Sequence, residues 1–110
     1  MKIYRRFGFD AAHRLADWPQ IHGHSYRAEI WFEGPVVDGY VIPEAELNRL
    51  TDKVRSQLDH RFLNDLLAQP TSENLARFIW RELRDTGTLC KVVVFRESCG
   101  MGVEYCGEDE

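Results

Sequence analysis

The chain has 110 residues, a length typical of one domain, so we expect a single domain over residues 1–110. Its net charge of −4 and pI of about 5.5 argue against a nucleic-acid partner, because such partners usually require a dense Lys/Arg surface. The longest apolar run, 92–95, is too short to span a bilayer and the first residues lack a signal-peptide core, so we expect a cytoplasmic protein with a small-molecule substrate.

Two strands are predicted in the first third of the chain. Ile3, Phe7 and Phe9 lie on one side of a period-2 alternation, and in the segment 24–33 the even-numbered residues from 26 to 32 are all apolar. Alternation of this kind is typical of a strand with one buried face.

Two amphipathic helices are predicted next. Pro43 suits a first helical position, and it precedes apolar residues spaced three and four apart, namely Leu47, Leu50, Val54 and Leu58. Thr71 or Ser72 can cap a second helix, and Gly87 suits its end. The apolar stripe of this helix is Leu75, Phe78, Ile79 and Leu83.

Residues 92–95 and 103–105, separated by a Gly-rich turn, predict a closing hairpin. The order β-β-α-α-β-β indicates an α+β fold with a four-stranded antiparallel sheet and both helices on one face. Such a sheet leaves its edges exposed, and copies can cover them by joining edge to edge into a barrel. We therefore expect a homo-oligomer with its pocket between subunits.

Three of the four histidines predict a metal site. His22 and His24 flank Gly23 at the entry to the second strand, so their side chains leave the same face roughly 7 Å apart. His13 ends the strand expected to pair with it and is the natural third ligand. Three neutral imidazoles with an open fourth position are typical of catalytic zinc. A His-x-His pair alone is more often a surface feature, so the prediction depends on His13.

Two further groups are candidates for chemistry. Asp59 and His60 can serve as a general acid/base pair, although a charge pair at the end of a helix is an equally good interpretation. Glu97 follows an apolar strand, and a ligand with two parallel N–H donors would suit its carboxylate. An exposed charge at a strand end is the alternative for Glu97.

Five stretches follow one another along the chain as a set of motifs, namely Phe9–Leu15, His22–Tyr26, Leu58–His60, Pro70–Asn74 and Arg96–Cys99. With these motifs in this order, the chain resembles the 6-pyruvoyl-tetrahydropterin synthase and 6-carboxytetrahydropterin synthase family. This resemblance implies the tunnelling fold, commonly assembled as a hexamer of two stacked trimers. It further implies zinc held by His13, His22 and His24, a pterin ring anchored by Glu97, and proton transfer by Asp59 and His60.

The resemblance also implies a reaction, and one residue departs from it. The family substrate is 7,8-dihydroneopterin triphosphate, and the bacterial branch forms 6-carboxytetrahydropterin for queuosine and related pathways. Zinc would stabilise the charge that forms when a side-chain carbon loses its proton. In typical members a cysteine four residues before the His-Gly-His motif takes that proton. Here the position holds Trp18, and an indole is not a base near neutral pH.

Several residues remain as possible bases. Asp17 is next to the missing cysteine position, and His60 could act alone. Cys99 follows Glu97 where related enzymes can carry a second cysteine, so it is not assigned the role.

Cys90 and Cys106 are interpreted as packing residues, and an odd cysteine count without zinc-finger spacing favours reduced thiols.

Three functions are therefore open. The leading hypothesis is a zinc-dependent pterin side-chain lyase that resembles 6-carboxytetrahydropterin synthase, with chemistry altered by the absence of the cysteine. A cysteine-independent enzyme forming 6-hydroxymethyl-dihydropterin, as in a family branch with glutamate at that position, is the alternative within the family. The second is a non-catalytic pterin- or purine-binding protein. The third is a metal-dependent hydrolase or aldolase that acts on an unrelated small ligand.

Overall fold

A computed structural model describes all 110 residues and has a five-stranded sheet with two helices. The strands are β1 (Lys2–Leu15), β2 (Trp18–Glu33), β3 (Arg61–Phe62), β4 (Leu89–Arg96) and β5 (Met101–Tyr105). The helices are α1 (Glu44–Leu58) and α2 (Ser72–Leu83). Single 3₁₀ turns at Leu63–Asp65 and Arg84–Thr86 follow β3 and α2. Neither helix combines the length and apolar character that crossing a bilayer would require.

The sheet order is β3-β1-β2-β4-β5. All pairings are antiparallel except that of β3, which pairs with β1 in parallel through two residues. This confirms the α+β class, but the expectation of only four strands was wrong. The two-residue β3 forms because the chain leaves α1 along the edge of β1, and His60 makes that turn with a φ of 59°.

The core lies between the helices and one face of the sheet. Alternate residues of β1, β2 and β4 point toward the helices, and the even-numbered residues of β2 from Tyr26 to Phe32 are all buried. The apolar stripes of both helices are buried against this face, including Val54 of α1 and Ile79 of α2. The predicted periodicities are thus confirmed.

Two local predictions need correction. Pro43 is the N-cap of α1 rather than its first helical residue, because its ψ of 145° is extended. Cys106 is exposed, so the prediction that it is a packing residue was wrong, whereas Cys90 is half-buried. All three thiols are free. Thr71 caps α2 as predicted, since its hydroxyl accepts the backbone N–H of Asn74 at 3.2 Å.

The β1–β2 hairpin positions the candidate site. Its strands have 14 and 16 residues and are joined by the two-residue turn Ala16–Asp17. A register shift lies between His13 and Leu15, just before the turn. The predicted metal ligands and Trp18 therefore lie near one end of a long ladder whose other end contributes to the core.

Candidate metal centre and active site

The hairpin brings the three predicted ligands together. His13 pairs directly with His22 across the ladder, and His24 follows on the same face as His22. The ring centroids lie 4.6 Å, 4.9 Å and 5.0 Å apart, and the ligand nitrogens all lie within 4.8 Å of one another. His13 is only 1% exposed, so the group lies at the edge of the core rather than on the open surface.

Hydrogen bonds determine where the protons of two of these rings lie. Nδ1 of His13 is 3.0 Å from the carbonyl oxygen of Pro70, and Nδ1 of His22 is 2.9 Å from that of Gln20. A carbonyl oxygen only accepts, so in the neutral rings each Nδ1 carries the proton and each Nε2 has a free lone pair.

The two Nε2 atoms face each other at 3.0 Å, and Nε2 of His24 is buried without a partner. Lone pairs in this arrangement repel unless a cation lies between them. Two nitrogens on one tetrahedral zinc ion are about 3.4 Å apart. The three rings therefore fit a metal ion, and the two carbonyls would hold His13 and His22 in the required tautomer.

The electrostatics favour the neutral ligand form. Burial lowers the pKa of His13, and the neighbouring positive charge of Arg96 lowers it further. Burial and the charges around it likewise lower the pKa of His24. Since metals bind neutral imidazole, little proton release is needed for these two ligands near neutral pH.

Asp59 and His60 form a second cluster, together with Asp10. The Asp59 carboxylate accepts the backbone N–H of Asp10 at 3.0 Å and lies 3.0 Å from Nδ1 of His60 and 3.1 Å from Arg55. The pKa of Asp59 lies below its usual value, mainly because its carboxylate accepts the backbone N–H of Asp10. The hydrogen bond with His60 is the next largest cause. The two side chains thus do contact each other, as an acid/base pair requires.

The two clusters are separate, and one cleft contains a residue from each of them. An open cleft of about 620 Å³ is lined by His24, Ser25, Asp10 and His60, among others. His60 is 80% exposed there, so its ring can meet a ligand. The cleft thus contains His60 and one of the three predicted ligands, whereas His13, His22 and Asp59 do not line it.

A smaller cavity of about 310 Å³ opens on the other side of the histidines. His13, His22 and Trp18 line it, together with Asp17, Glu73 and Arg96. Trp18 is 57% exposed, and its ring lies 6.0 Å from that of His22. The tryptophan therefore occupies the place next to the metal site where the resemblance implied a thiol.

Glu97 and Cys99 lie outside both clusters. The Glu97 carboxylate accepts a hydrogen bond from Nε–H of Arg27, which is one donor where a ligand with two parallel N–H donors was expected. Cys99 is exposed in the turn before β5 and lines neither cavity. Within the chain, no thiol reaches the metal site.

Sequence reasoning missed Arg96 and Glu73. Arg96 interrupts an inward alternation in β4, after Val92 and Val94, and a charge at such a position is a signal that could have identified it. Glu73 comes close only through packing, because the start of α2 lies against the histidine end of the hairpin.

Comparison with known proteins decides the family. The model of the 6-pyruvoyl tetrahydropterin synthase family matches residues 2–108. The chain belongs to this family of pterin-metabolising enzymes. The resemblance stated from the motifs is thereby confirmed.

Relatives within the family carry different names. The chain is 39% identical to dihydroneopterin monophosphate aldolase of Pyrococcus furiosus over 85 residues, which covers 76% of this chain and 75% of the relative. It is 33% identical to 6-carboxy-5,6,7,8-tetrahydropterin synthase of Synechocystis, with 94% and 91% covered.

Solved structures of the family share the fold. The Caenorhabditis elegans 6-pyruvoyl tetrahydropterin synthase superposes with a TM-score of 0.85 at 24% identity, with 97% of this chain and 95% of that chain covered. A Plasmodium vivax 6-pyruvoyltetrahydropterin synthase with a substituted catalytic glutamate gives a TM-score of 0.73 at 18% identity, with 96% of each chain covered.

Proposed function

We propose that the protein is a zinc-dependent lyase that cleaves the side chain of a dihydroneopterin phosphate by an aldol-type reaction, releasing 6-hydroxymethyl-dihydropterin. The observation that carries this proposal is an intact three-histidine site beside Trp18, with no thiol in either cavity. The name of the Pyrococcus furiosus relative, an aldolase, supports the same reaction type.

The two reactions remove different protons, and this difference explains why the missing cysteine favours aldol-type cleavage of the side chain. Formation of 6-carboxytetrahydropterin requires a base that takes a proton from carbon. In the aldol-type cleavage, the proton instead leaves the hydroxyl on the second side-chain carbon, C2′. The C1′–C2′ bond then breaks, its electron pair moves into the pterin ring system, and C1′ takes up a proton. The products are 6-hydroxymethyl-dihydropterin and a phosphorylated glycolaldehyde, with no oxidant or reductant consumed.

The residues of the chain can serve this reaction. His13, His22 and His24 would hold zinc, which when bound would polarise the side-chain hydroxyls and stabilise negative charge on oxygen. His60 would accept the hydroxyl proton and return a proton to C1′, because a histidine ring exchanges protons near neutral pH. Asp59 keeps His60 oriented through the contact at 3.0 Å.

Glu97 would bind the pterin ring. Its carboxylate is committed to Arg27 within the chain, so an incoming pterin must displace or share that exposed guanidinium. Subunit association into a hexamer of two trimers would enclose the open cleft, which a single chain leaves accessible to solvent. We place the active site at such an interface.

A second candidate is 6-carboxytetrahydropterin synthase acting on 7,8-dihydroneopterin triphosphate, as a step toward queuosine. The match to the Synechocystis synthase along 94% of this chain favours it. It would need Asp17 or Glu73 as the base, since both line the cavity that holds Trp18.

Product analysis separates the candidates. Zinc-loaded protein is incubated in D₂O with dihydroneopterin, its monophosphate and its triphosphate, and products are identified by mass spectrometry. Aldol-type cleavage predicts 6-hydroxymethyl-dihydropterin carrying one deuterium at C1′. The synthase reaction predicts 6-carboxytetrahydropterin with acetaldehyde. Pterin binding without any product would overturn both enzyme proposals and favour a binding protein.

A further inference from the structure

Arg96 has an unusual position in the sheet. It pairs with Tyr26 of β2 and Met101 of β5, and cross-strand neighbours point to the same side of a sheet. Tyr26 shares that side with His24 and His22. Arg96 therefore directs its guanidinium toward the helix-covered face, at the end where the histidines lie.

The guanidinium lacks an anionic partner. Its Nε atom is buried and forms no hydrogen bond, and one terminal nitrogen contacts only the sulfur of Met101 at 3.3 Å. Arg96 is in no ion pair of the chain. Leaving a buried charge-bearing donor unpaired is costly, whereas a thioether is only a weak acceptor. The contact with sulfur does not satisfy this group.

The surroundings are suited to an anion. Arg96 lines the 310 Å³ cavity with His13 and His22, so a bound dication would add positive charge close by. The first turn of α2 forms another wall, and backbone N–H groups at a helix start lack intrahelical partners. Asp17 and Glu73 carry the opposing charges, but both are exposed to screening solvent.

We propose that Arg96 binds the phosphate group of the substrate in the cavity next to the three histidines. This inference rests on the proposed function, because a phosphate ester on the side chain must lie near hydroxyls held at the metal. A phosphate fits better than a neutral group, since a guanidinium can donate two parallel hydrogen bonds to it. The cavity volume is within the range of small-ligand sites.

Binding of inorganic phosphate tests the inference without turnover. Zinc-loaded wild type, Arg96→Gln and Arg96→Lys are titrated with inorganic phosphate by calorimetry, after zinc content and circular dichroism show intact protein. We expect affinity to fall about tenfold or more in Arg96→Gln and less in Arg96→Lys, which keeps the charge. Arg5→Gln is the matched control, because Arg5 is also half-buried on a strand and in no ion pair but lies opposite Ile30, away from the cavity. Its affinity should match wild type.

Kinetics provide the second readout. In Arg96→Gln, KM for dihydroneopterin monophosphate should rise about tenfold, while KM for unphosphorylated dihydroneopterin stays within about twofold. Equal phosphate affinity in wild type and Arg96→Gln would overturn the inference. So would an equal change for both substrates, which would place Arg96 against their common part. If no pterin is turned over, the proposed function fails, but the phosphate titration still decides the role of Arg96.

Discussion

Removal of one histidine ligand gives a quantitative test of the metal site. With free zinc at about 100 times Kd, binding adds about 2.7 kcal/mol to the free energy of unfolding. For a domain of about this size, each kcal/mol raises Tm by roughly 4 °C or more, so we expect zinc to raise Tm by roughly 10 °C.

His24→Ala should remove most of this rise. Loss of an outer-shell partner alone costs about 10- to 100-fold in metal affinity, and loss of a ligand should cost at least the upper value. At the same free zinc, the gain then falls to about 0.4 kcal/mol, a shift of only a few degrees. The zinc-loaded and zinc-free samples of the same variant are compared. Any loss of stability caused by removing the imidazole ring is therefore present in both Tm values and cancels in their difference.

The assay is differential scanning fluorimetry with and without chelator, combined with zinc quantification. His60→Asn is the control, because His60 lies outside the three-histidine group and asparagine tolerates its φ of 59°. This variant should keep one zinc per chain and the full Tm rise. A zinc-dependent rise that is equal in wild type and His24→Ala would refute the assignment of the ligands.

Three further predictions concern the site and the fold. Trp18→Cys should raise 6-carboxytetrahydropterin formation, measured by mass spectrometry; an unchanged rate with zinc still bound would show that Trp18 does not mark the missing base. The backbone N–H of Asp10 and other partners lower the folded-state pKa of Asp59 below 3.8, so its carboxylate stabilises the fold above about pH 4 and this contribution is lost as the pH falls through the lowered value. Asp59→Asn should therefore lower Tm at pH 7, this deficit should shrink as the pH falls below about 4, and a deficit independent of pH would contradict this. In Gly107→Ala the new Cβ would lie 2.4 Å from the Trp80 ring at a φ of +77°, so urea unfolding should show a loss of about 1–3 kcal/mol, and unchanged stability would argue against that packing.

Apolar spacing was sufficient to predict most of the fold. The even-numbered residues of β2 and the stripe of α1 each bury one face, so their period alone indicates element type and orientation. Strand β3 could not be predicted this way. It has two residues, and its pairing depends on where α1 ends against β1 rather than on any repeat.

The candidate site was predictable only where local spacing controls it. His22 and His24 share a face because of strand geometry, and pairing of adjacent strands brings His13 to them. Contacts between residues that are distant in the sequence could not be predicted from it. The pairing of Glu97 with Arg27 and the cavity contact of Arg96 depend on the register of β2 against β4, which no local pattern specifies.

The two-residue turn of the long hairpin has a consequence for redesign. The ladder that aligns His13 with His22 is fixed by backbone pairing and burial, whereas the turn and Trp18 are exposed. We therefore expect that residues 16–18 can be replaced together while the pairing of His13 with His22 is kept. A library of carboxylates, thiols and imidazoles in these three positions would test how many reactions one group of three aligned histidines can support.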